Sequence, residues 1–302
     1  MSGQNEVLRF QDLSRSTYPA IRIQGVENIY GHAGNDLIDL SYDPEQSPAS
    51  LGVSAGMYVD GGAGNDVVIG HQTTQMSLNG GANDDYIFTN NITSAAYGWD
   101  GFDEVEILAG QRPNLSGFEK TVIKVDTDDH QEASWSCGPN SVARFMRAYG
   151  IQLTYAQAKR FTEYDGNIIS YLELGTPPSQ LIDTMQHWKP DSRMEKESTT
   201  DRLKELVLQG KPAIILVSMG KIDTAGNFAG GNVGELHYVV VNGYDARRDT
   251  FLISNTNGEQ YWWKRRDLEY KWNWSNDFSG WIGGPSEGAL RIEGFRDRTL
   301  FY

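Results

Sequence analysis

Residues 25–108 contain short apolar segments separated by stretches rich in glycine, asparagine and aspartate. The segments LIDL (37–40), VVIG (67–70) and YIF (86–88) are too short to form helices. Because glycine, asparagine and aspartate are typical of turns, this alternation predicts a region built of turns and short strands.

Four stretches of this region share one frame: GHAGNDLID (31–39), GGAGNDVVI (61–69), GGANDDYIF (80–88) and GWDGFDEVE (98–106). Each frame has a glycine-rich turn, an aspartate at the sixth place and an apolar residue at the eighth. The aspartates are Asp36, Asp66, Asp85 and Asp103, and the apolar residues are Ile38, Val68, Ile87 and Val105. The frames start 30, 19 and 18 residues apart, with an insertion at roughly 41–59 in the first interval. The last two spacings are close to one coil of a parallel β-roll, so we predict that these turns stack along one edge with the apolar residues inside.

The pattern changes after about residue 118, where apolar residues recur at intervals of three and four. This period predicts amphipathic helices at 138–150, 154–164, 177–188 and 199–210. Strands are predicted later, at 212–220, 236–245 and 250–258. Helices followed by antiparallel strands are typical of an α+β fold. We therefore predict a multidomain chain, with an all-β parallel β-roll over residues 1–117 and an α+β domain over residues 118–302.

The charge of the chain is negative and concentrated in the first part. The net charge is −14, and residues 1–115 hold 15 Asp and Glu against 4 Lys and Arg. Such a surface repels nucleic acid and attracts cations, so nucleic acid is excluded as a partner. No apolar run reaches the length of a membrane span, and the first residues lack the pattern of a cleaved secretory signal.

The repeated turn offers the ligands that calcium prefers. Ca²⁺ takes six to eight oxygen ligands from carboxylates and backbone carbonyls, and glycine lets the backbone turn its carbonyls toward one point. We predict Asp36, Asp66, Asp85 and Asp103 as calcium ligands, with one to three ions along one edge. The alternative is a solenoid that keeps its shape without metal.

These repeats resemble the repeats-in-toxin (RTX) family of calcium-binding β-rolls. The likeness covers residues 25–108 and is strongest at GGAGNDVVI. It implies structural Ca²⁺ and a protein that leaves a Gram-negative bacterium by one-step, type I secretion. His32, Asn83 and Trp99 depart from the family pattern, and the half-turns at 70–79 have lost it.

The only cysteine of the chain, Cys137, lies in the string SWSCGPNSVARF at the start of a predicted helix. A thiol nucleophile needs a lowered pKa, a base and donors for the oxyanion, and a helix start favours thiolate. Gln131, six residues upstream, offers a side-chain amide to the oxyanion. His237 opens a predicted strand, and Asn255 ends the next one, where it can orient the imidazole.

The order Gln, Cys, His, Asn resembles papain-like cysteine peptidases. The strings SCGPNSVARF, LGTPPSQLIDTM, LKELVLQGKPAIILV and LHYVVVNGYD are similar to the branch of bacteriocin leader-processing, C39-like peptidases. The resemblance covers about 130–265 and implies Cys137 as nucleophile, His237 as general base and acid, Asn255 as orienter and Gln131 as oxyanion donor. That branch usually has aspartate as orienter, which leaves the assignment open to Asn257.

We therefore expect a secreted, calcium-binding cysteine peptidase or isopeptidase that acts on a peptide or protein amide bond. One alternative is an amidase or glutamine deamidase effector, acting on peptidoglycan or a host protein through the same residues. A second alternative is a calcium-dependent binding module without turnover. The segment 221–235, ahead of His237, is predicted to be a loop that covers the cleft.

The calcium prediction also decides the expected location. A roll that needs millimolar calcium folds outside the cell, so we expect an extracellular bacterial protein with an export machinery as a further partner. A contact-delivered effector or a fragment of a longer protein would fit the same residues.

Overall fold

The computed structural model describes residues 7–9, 26–41, 53–71, 74–89, 94–111, 114–131, 136–164, 176–195, 198–219, 236–274, 281–282, 290–291 and 299–301. The predicted loop at 221–235 lies outside these residues. The chain forms two compact units, Met1–Val122 and Ile123–Tyr302. Each unit is described by itself.

The first unit is a β-solenoid of short strands. Its strands are β1 (Val7–Arg9), β2 (Val26–Tyr30), β3 (Leu37–Asp39), β4 (Val53–Ala63), β5 (Val67–Ile69), β6 (Met76–Ala82), β7 (Tyr86–Thr89), β8 (Ala95–Asp100), β9 (Glu104–Ile107), β10 (Asn114–Ser116) and β11 (Lys120–Ile123). Strands β1, β3, β5, β7 and β9 pair in parallel in that order. Strands β2, β4, β6, β8 and β10 form a second parallel sheet. Each glycine-rich turn joins a strand of the second sheet to a strand of the first.

The interior of the solenoid is the apolar stack that the frame predicts. Ile38 pairs in register with Val68, Val68 with Ile87, and Ile87 with Val105. All four side chains are buried. Because strand neighbours alternate between the two faces, one register error would turn this stack outward, so the buried column fixes the stacking of the coils.

The sixth-place aspartates form a ladder of hydrogen bonds from one coil to the next. The backbone N–H of Asp36 donates to Asp66 Oδ1 (2.8 Å), that of Asp66 to Asp85 Oδ1 (2.8 Å), and that of Asp85 to Asp103 Oδ1 (2.9 Å). The N–H of Asp103 donates to Glu119 Oε2 at 3.0 Å, which adds a rung that the repeat pattern did not indicate. These carboxylates satisfy backbone donors that would otherwise be buried without partners.

A second ladder runs beside the first, one residue earlier in each turn. Asn35 Oδ1 accepts from the N–H of Asn65 (2.8 Å), Asn65 Oδ1 from that of Asp84 (3.3 Å), and Asp84 Oδ1 from that of Phe102 (2.8 Å). The two ladders explain why asparagine and aspartate recur side by side in these turns.

The second unit combines helices with an antiparallel sheet. The helices are α1 (Cys137–Ala148), α2 (Tyr155–Tyr164), α3 (Pro178–Trp188), α4 (Thr200–Leu208) and α5 (Arg265–Trp274). The strands are β12 (Arg193–Glu195), β13 (Ala213–Ser218), β14 (Leu236–Asp245), β15 (Thr250–Ser254), β16 (Gln260–Lys264), β17 (Trp281–Ile282), β18 (Leu290–Arg291) and β19 (Thr299–Phe301). The order β16-β15-β14-β13-β19-β12 is antiparallel throughout. The first four helices lie within one or two residues of the positions that the apolar period predicts.

The core of this unit lies between α1 and the central strands. Phe145 and Met146 of α1 are fully buried in one cluster with Leu181 of α3, Ile214 of β13 and Val240 of β14. Helix α1 is therefore fixed on the sheet by its apolar face, which holds its first residue, Cys137, close to β14. In the part of the chain that the structure describes, no helix is both long and apolar enough to cross a membrane.

Glycines of the solenoid turns are required by close backbone contacts, and two of them make a matched test. Gly62 has a φ of 107°, and a Cβ atom there would lie 2.1 Å from the carbonyl oxygen of His32. Gly56 has a φ of 83°, but no described atom lies within 4 Å of its Cβ position. Both changes to alanine should cost about 1 kcal/mol for the left-handed backbone. Gly62→Ala should cost roughly a further 1–3 kcal/mol, because the preceding coil, which contains His32, must move.

Urea unfolding followed by circular dichroism measures this difference. Gly62→Ala should show a clearly larger loss of unfolding free energy than Gly56→Ala. An equal loss in the two variants would contradict the close stacking of the coils.

Candidate active site

Cys137 is the first residue of α1, and its side chain is 5 % exposed. The backbone N–H groups of Cys137, Gly138 and Tyr238 are directed at its sulfur. A Cβ atom on Gly138 would lie 3.0 Å from Leu181 Cδ2, so glycine lets the helix start pack closely on α3. The helix start therefore gives the sulfur two backbone donors, and β14 gives the third.

Burial is the larger influence on the thiol. It raises the pKa of Cys137 above its ordinary value, while the three backbone N–H groups act in the opposite direction. The sequence predicts a thiolate favoured by the helix start. The structure shows that these donors are present but that desolvation outweighs them, because a charged sulfur loses its water on burial.

His237 and Asn255 lie on neighbouring strands. His237 is the second residue of β14, and Asn255 directly follows β15, which pairs with β14. The Nε2 atom of His237 lies 2.7 Å from Asn255 Oδ1. Asn257 instead is exposed and donates to Glu259 Oε2 at 2.6 Å. Of the two asparagines, Asn255 is therefore the one in contact with the imidazole.

The environment of His237 favours a neutral ring. Burial lowers its pKa, and the hydrogen bond with Asn255 opposes this shift. A carboxamide oxygen only accepts, so Nε2 carries the proton and Nδ1 is the basic nitrogen. Both directions favour the uncharged forms, a thiol at Cys137 and a neutral imidazole at His237.

Gln131 is brought beside the same strand end by hydrogen bonds to Thr256. The backbone N–H of Gln131 donates to the carbonyl oxygen of Thr256 at 3.0 Å. The hydroxyl of Thr256 lies 2.5 Å from Gln131 Oε1 and 2.9 Å from His237 Nε2. No motif or period in the sequence marks Thr256. Its position directly after Asn255 was the one available signal.

A buried arginine holds the backbone ahead of Gln131. Arg144 of α1 is fully buried, and its Nε donates to Asn140 Oδ1 at 2.9 Å. Its Nη2 donates to the carbonyl oxygens of Thr127 (3.1 Å), Asp129 and Thr256 (3.4 Å). Asn140 and Arg144 stand four residues apart on the buried side of an amphipathic helix, which is the signal by which sequence reasoning could have found them.

Arg147, three residues further along α1, pairs with the acidic segment 126–129. Its Nε lies 2.7 Å from Asp126 Oδ2, and its Nη1 lies 3.0 Å from Asp129 Oδ2. Two arginines of helix α1, which begins at Cys137, therefore fix the segment that leads to Gln131.

The ladder aspartates of the first unit have one carboxylate oxygen that is not used by the ladder. Among the described residues, the buried Oδ2 atoms of Asp66, Asp85 and Asp103 have no hydrogen-bond partner. Each lies against a glycine, because a Cβ on Gly61, Gly80 or Gly98 would come within 2.4–2.5 Å of it. Burial raises the pKa of Asp85 to about 7 and that of Asp103 to about 6, against an ordinary value of 3.8.

Unpaired buried carboxylate oxygens fit a hard cation, since calcium takes carboxylate and carbonyl oxygens. Within the described ranges, however, no group of three or more His, Cys, Asp or Glu side chains could together hold a metal ion. An ion at Asp66, Asp85 or Asp103 would therefore need backbone carbonyls for most of its ligands.

Three solved structures are similar to parts of the chain. A C39-like peptidase from Bacillus anthracis is 16% identical, with a TM-score of 0.39, over 49% of this chain and 91% of that chain. A double glycine motif protease from an AMS/PCAT transporter, in complex with the leader peptide, is 14% identical, with a TM-score of 0.34, over 50% and 87%. The peptidase domain of Streptococcus ComA, a bi-functional ABC transporter, is 16% identical, with a TM-score of 0.35, over 49% and 91%.

No curated protein matches the chain significantly. Residues 123–278, more than half of the chain, match the Peptidase_C39 like family. This range contains helix α1, which begins at Cys137. It also contains strand β14, in which His237 lies, and Asn255, which directly follows β15. The chain therefore belongs to the Peptidase_C39 like family, whose members are peptidase-like hydrolases.

Proposed function

We propose that the chain is a cysteine peptidase or isopeptidase that cleaves a peptide or protein amide bond. Cys137 is the nucleophile, His237 the general base and acid, Asn255 the orienting residue and Gln131 an oxyanion donor. The observation that carries the proposal is the 2.7 Å contact of His237 Nε2 with Asn255 Oδ1. His237 lies on β14, and the next residue of that strand, Tyr238, directs its backbone N–H at the sulfur of Cys137.

The resting protonation states determine the first step. The thiol of Cys137 passes its proton to Nδ1 of His237, while Nε2–H remains hydrogen-bonded to Asn255. The thiolate attacks the substrate carbonyl carbon, and the oxyanion receives hydrogen bonds from the Gln131 amide and the backbone N–H of Cys137. The imidazolium then gives its proton to the leaving amine. Water hydrolyses the remaining thioester and restores the thiol.

We extend the proposal to the first unit, as an RTX-like, calcium-binding solenoid of a secreted bacterial protein. The buried Oδ2 atoms of Asp66, Asp85 and Asp103 have no hydrogen-bond donor among the described residues, which supports the proposal of a cation along this edge. Their raised pKa values support it as well, because a carboxylate that resists ionisation is stabilised by a bound cation. A unit that is completed by calcium would be stable where calcium is abundant, outside the cell.

The catalytic assignment is tested by matched asparagine variants. Asn255→Ala should lower the rate of hydrolysis of fluorescein-labelled casein about tenfold or more, since the imidazole loses its orienting partner. Asn257→Ala removes the same amide two residues away, where it contacts Glu259, and should leave the rate within about twofold. Cys137→Ala should abolish hydrolysis.

A panel of ubiquitin-like conjugates and peptidoglycan fragments is measured beside casein. Equal signals from the wild type and Cys137→Ala on every substrate would defeat the proposal. Cleavage confined to the peptidoglycan fragments would replace a peptidase by an amidase.

The calcium assignment is tested by melting at several pH values. The folded-state pKa of Asp85 (about 7) and of Asp103 (about 6) exceeds the ordinary 3.8, so the folded unit binds these protons more tightly. With chelator present, their contribution to stability is complete below about pH 4 and is lost as the pH rises through about 6–7. The melting temperature should therefore fall between pH 5 and pH 8, and millimolar calcium should restore it at pH 7.5.

Asp85→Asn keeps the ladder acceptor without the charge. It should reduce both the pH dependence and the calcium effect. Glu27→Gln removes an equal charge from an exposed position of β2 and serves as the control. A melting temperature that is the same with calcium and with chelator would overturn the calcium assignment.

A further inference from the structure

The hydroxyl of Thr256 touches three groups of the candidate active site at once. Its Oγ1 lies 2.5 Å from Gln131 Oε1, 2.9 Å from His237 Nε2 and 3.4 Å from Asn255 Oδ1. The residue is 1 % exposed, so water does not compete for these contacts. Gln131 and Thr256 are 125 positions apart in the chain.

The donor and acceptor roles around Thr256 follow from the two amide oxygens, which can only accept hydrogen bonds. Asn255 Oδ1 can only accept, so the nitrogen 2.7 Å away, His237 Nε2, carries a hydrogen. Thr256 Oγ1 faces the same N–H and acts there as an acceptor. Its single hydrogen is then given to Gln131 Oε1, at the shorter distance. The amide oxygen of Gln131 is thereby held by Thr256, and the amide NH₂ is the end left for an oxyanion.

The backbone of Thr256 is itself held in place. Its carbonyl oxygen accepts from the N–H of Gln131 at 3.0 Å and from Nη2 of the buried Arg144 at 3.4 Å. Gln131 and Thr256 are thus joined by both a backbone and a side-chain hydrogen bond. The hydroxyl has little freedom to turn away from Gln131.

We propose that Thr256 is a positioning residue that couples the oxyanion donor to the catalytic histidine. It orients the Gln131 amide by donating to Oε1 while it accepts from His237 Nε2. The inference rests on the proposed function of Gln131 and His237. The coupling persists through the reaction, because Nε2 keeps its proton whether or not Nδ1 is protonated.

The test compares Thr256→Val, which removes the hydroxyl at nearly constant volume, with Thr256→Ser, which keeps it. Two-dimensional ¹H–¹⁵N NMR follows the side-chain NH₂ signals of Gln131, assigned by their loss in Gln131→Ala. They should shift in Thr256→Val and stay close to the wild type in Thr256→Ser. In Thr256→Val, the kcat for hydrolysis of labelled casein should fall about tenfold to a hundredfold, with KM little changed. Thr256→Ser should keep a kcat close to that of the wild type.

Two further measurements separate positioning from a general structural role. Alkylation of the single cysteine by iodoacetamide forms no oxyanion, so its rate should change less than about threefold in Thr256→Val. In a Gln131→Ala background, Thr256→Val should add little further loss of kcat, since the group it positions is absent.

Unchanged Gln131 signals in Thr256→Val would overturn the proposal whatever the enzyme cleaves. So would equal losses in alkylation and kcat, or fully additive losses with Gln131→Ala. If Thr256→Val does not fold, as seen by circular dichroism, the same comparison is made between Thr256→Ala and Thr256→Ser. Activity that survives in Cys137→Ala would instead refute the proposed function and leave the NMR result to decide on Thr256.

Discussion

The buried guanidinium of Arg144 is the interaction on which the arrangement of the candidate site depends. A cation without access to water is tolerated only where acceptors surround it, and here they are the amide oxygen of Asn140 and backbone carbonyls of three residues. Those carbonyls belong to the segment ahead of Gln131 and to Thr256, at the end of β15. One side chain of helix α1 therefore ties together the two chain segments that carry Gln131 and Asn255.

The same requirement, that buried polar groups find partners, organises the first unit by another route. There, the donors are backbone N–H groups of successive turns, and the acceptors are the carboxylates of the next coil. A carboxylate has two oxygens, and the ladder uses only one of them. The repeat thus gives the buried backbone donors their partners and leaves a column of buried carboxylate oxygens without donors, which is the physical reason to propose a cation along this edge.

Much of this architecture could be predicted from the chain because it depends on local period. The helices α1 to α4 and the strands β13 to β15 follow apolar spacing, and the interior stack from Ile38 to Val105 follows the eighth place of each frame. Glu119 could not be predicted in the same way. It accepts the hydrogen bond from the N–H of Asp103, but it does not lie in one of the glycine-rich frames that mark the other acceptors of the ladder.

The contacts of Thr256 and Arg144 could not be predicted for a different reason. Their roles depend on partners 125 and 112 positions away, and on which atom donates and which accepts. A period along the chain carries no such information. The burial of Cys137 belongs to the same class, because the helix start is visible in the sequence whereas the desolvation that outweighs it is produced by the packing of α1 against α3 and β14.

The two units place opposite demands on their surroundings. Arg144 is a buried cation whose Nε and Nη2 donate to acceptors of the chain itself, and those hydrogen bonds hold the segment ahead of Gln131 to Thr256. Asp85 and Asp103 are buried acids with a carboxylate oxygen that no described donor reaches, and burial raises the pKa of both. It follows that pH should act on the stability of the solenoid through Asp85 and Asp103, while the arrangement of Gln131 and Thr256 depends on hydrogen bonds within the chain.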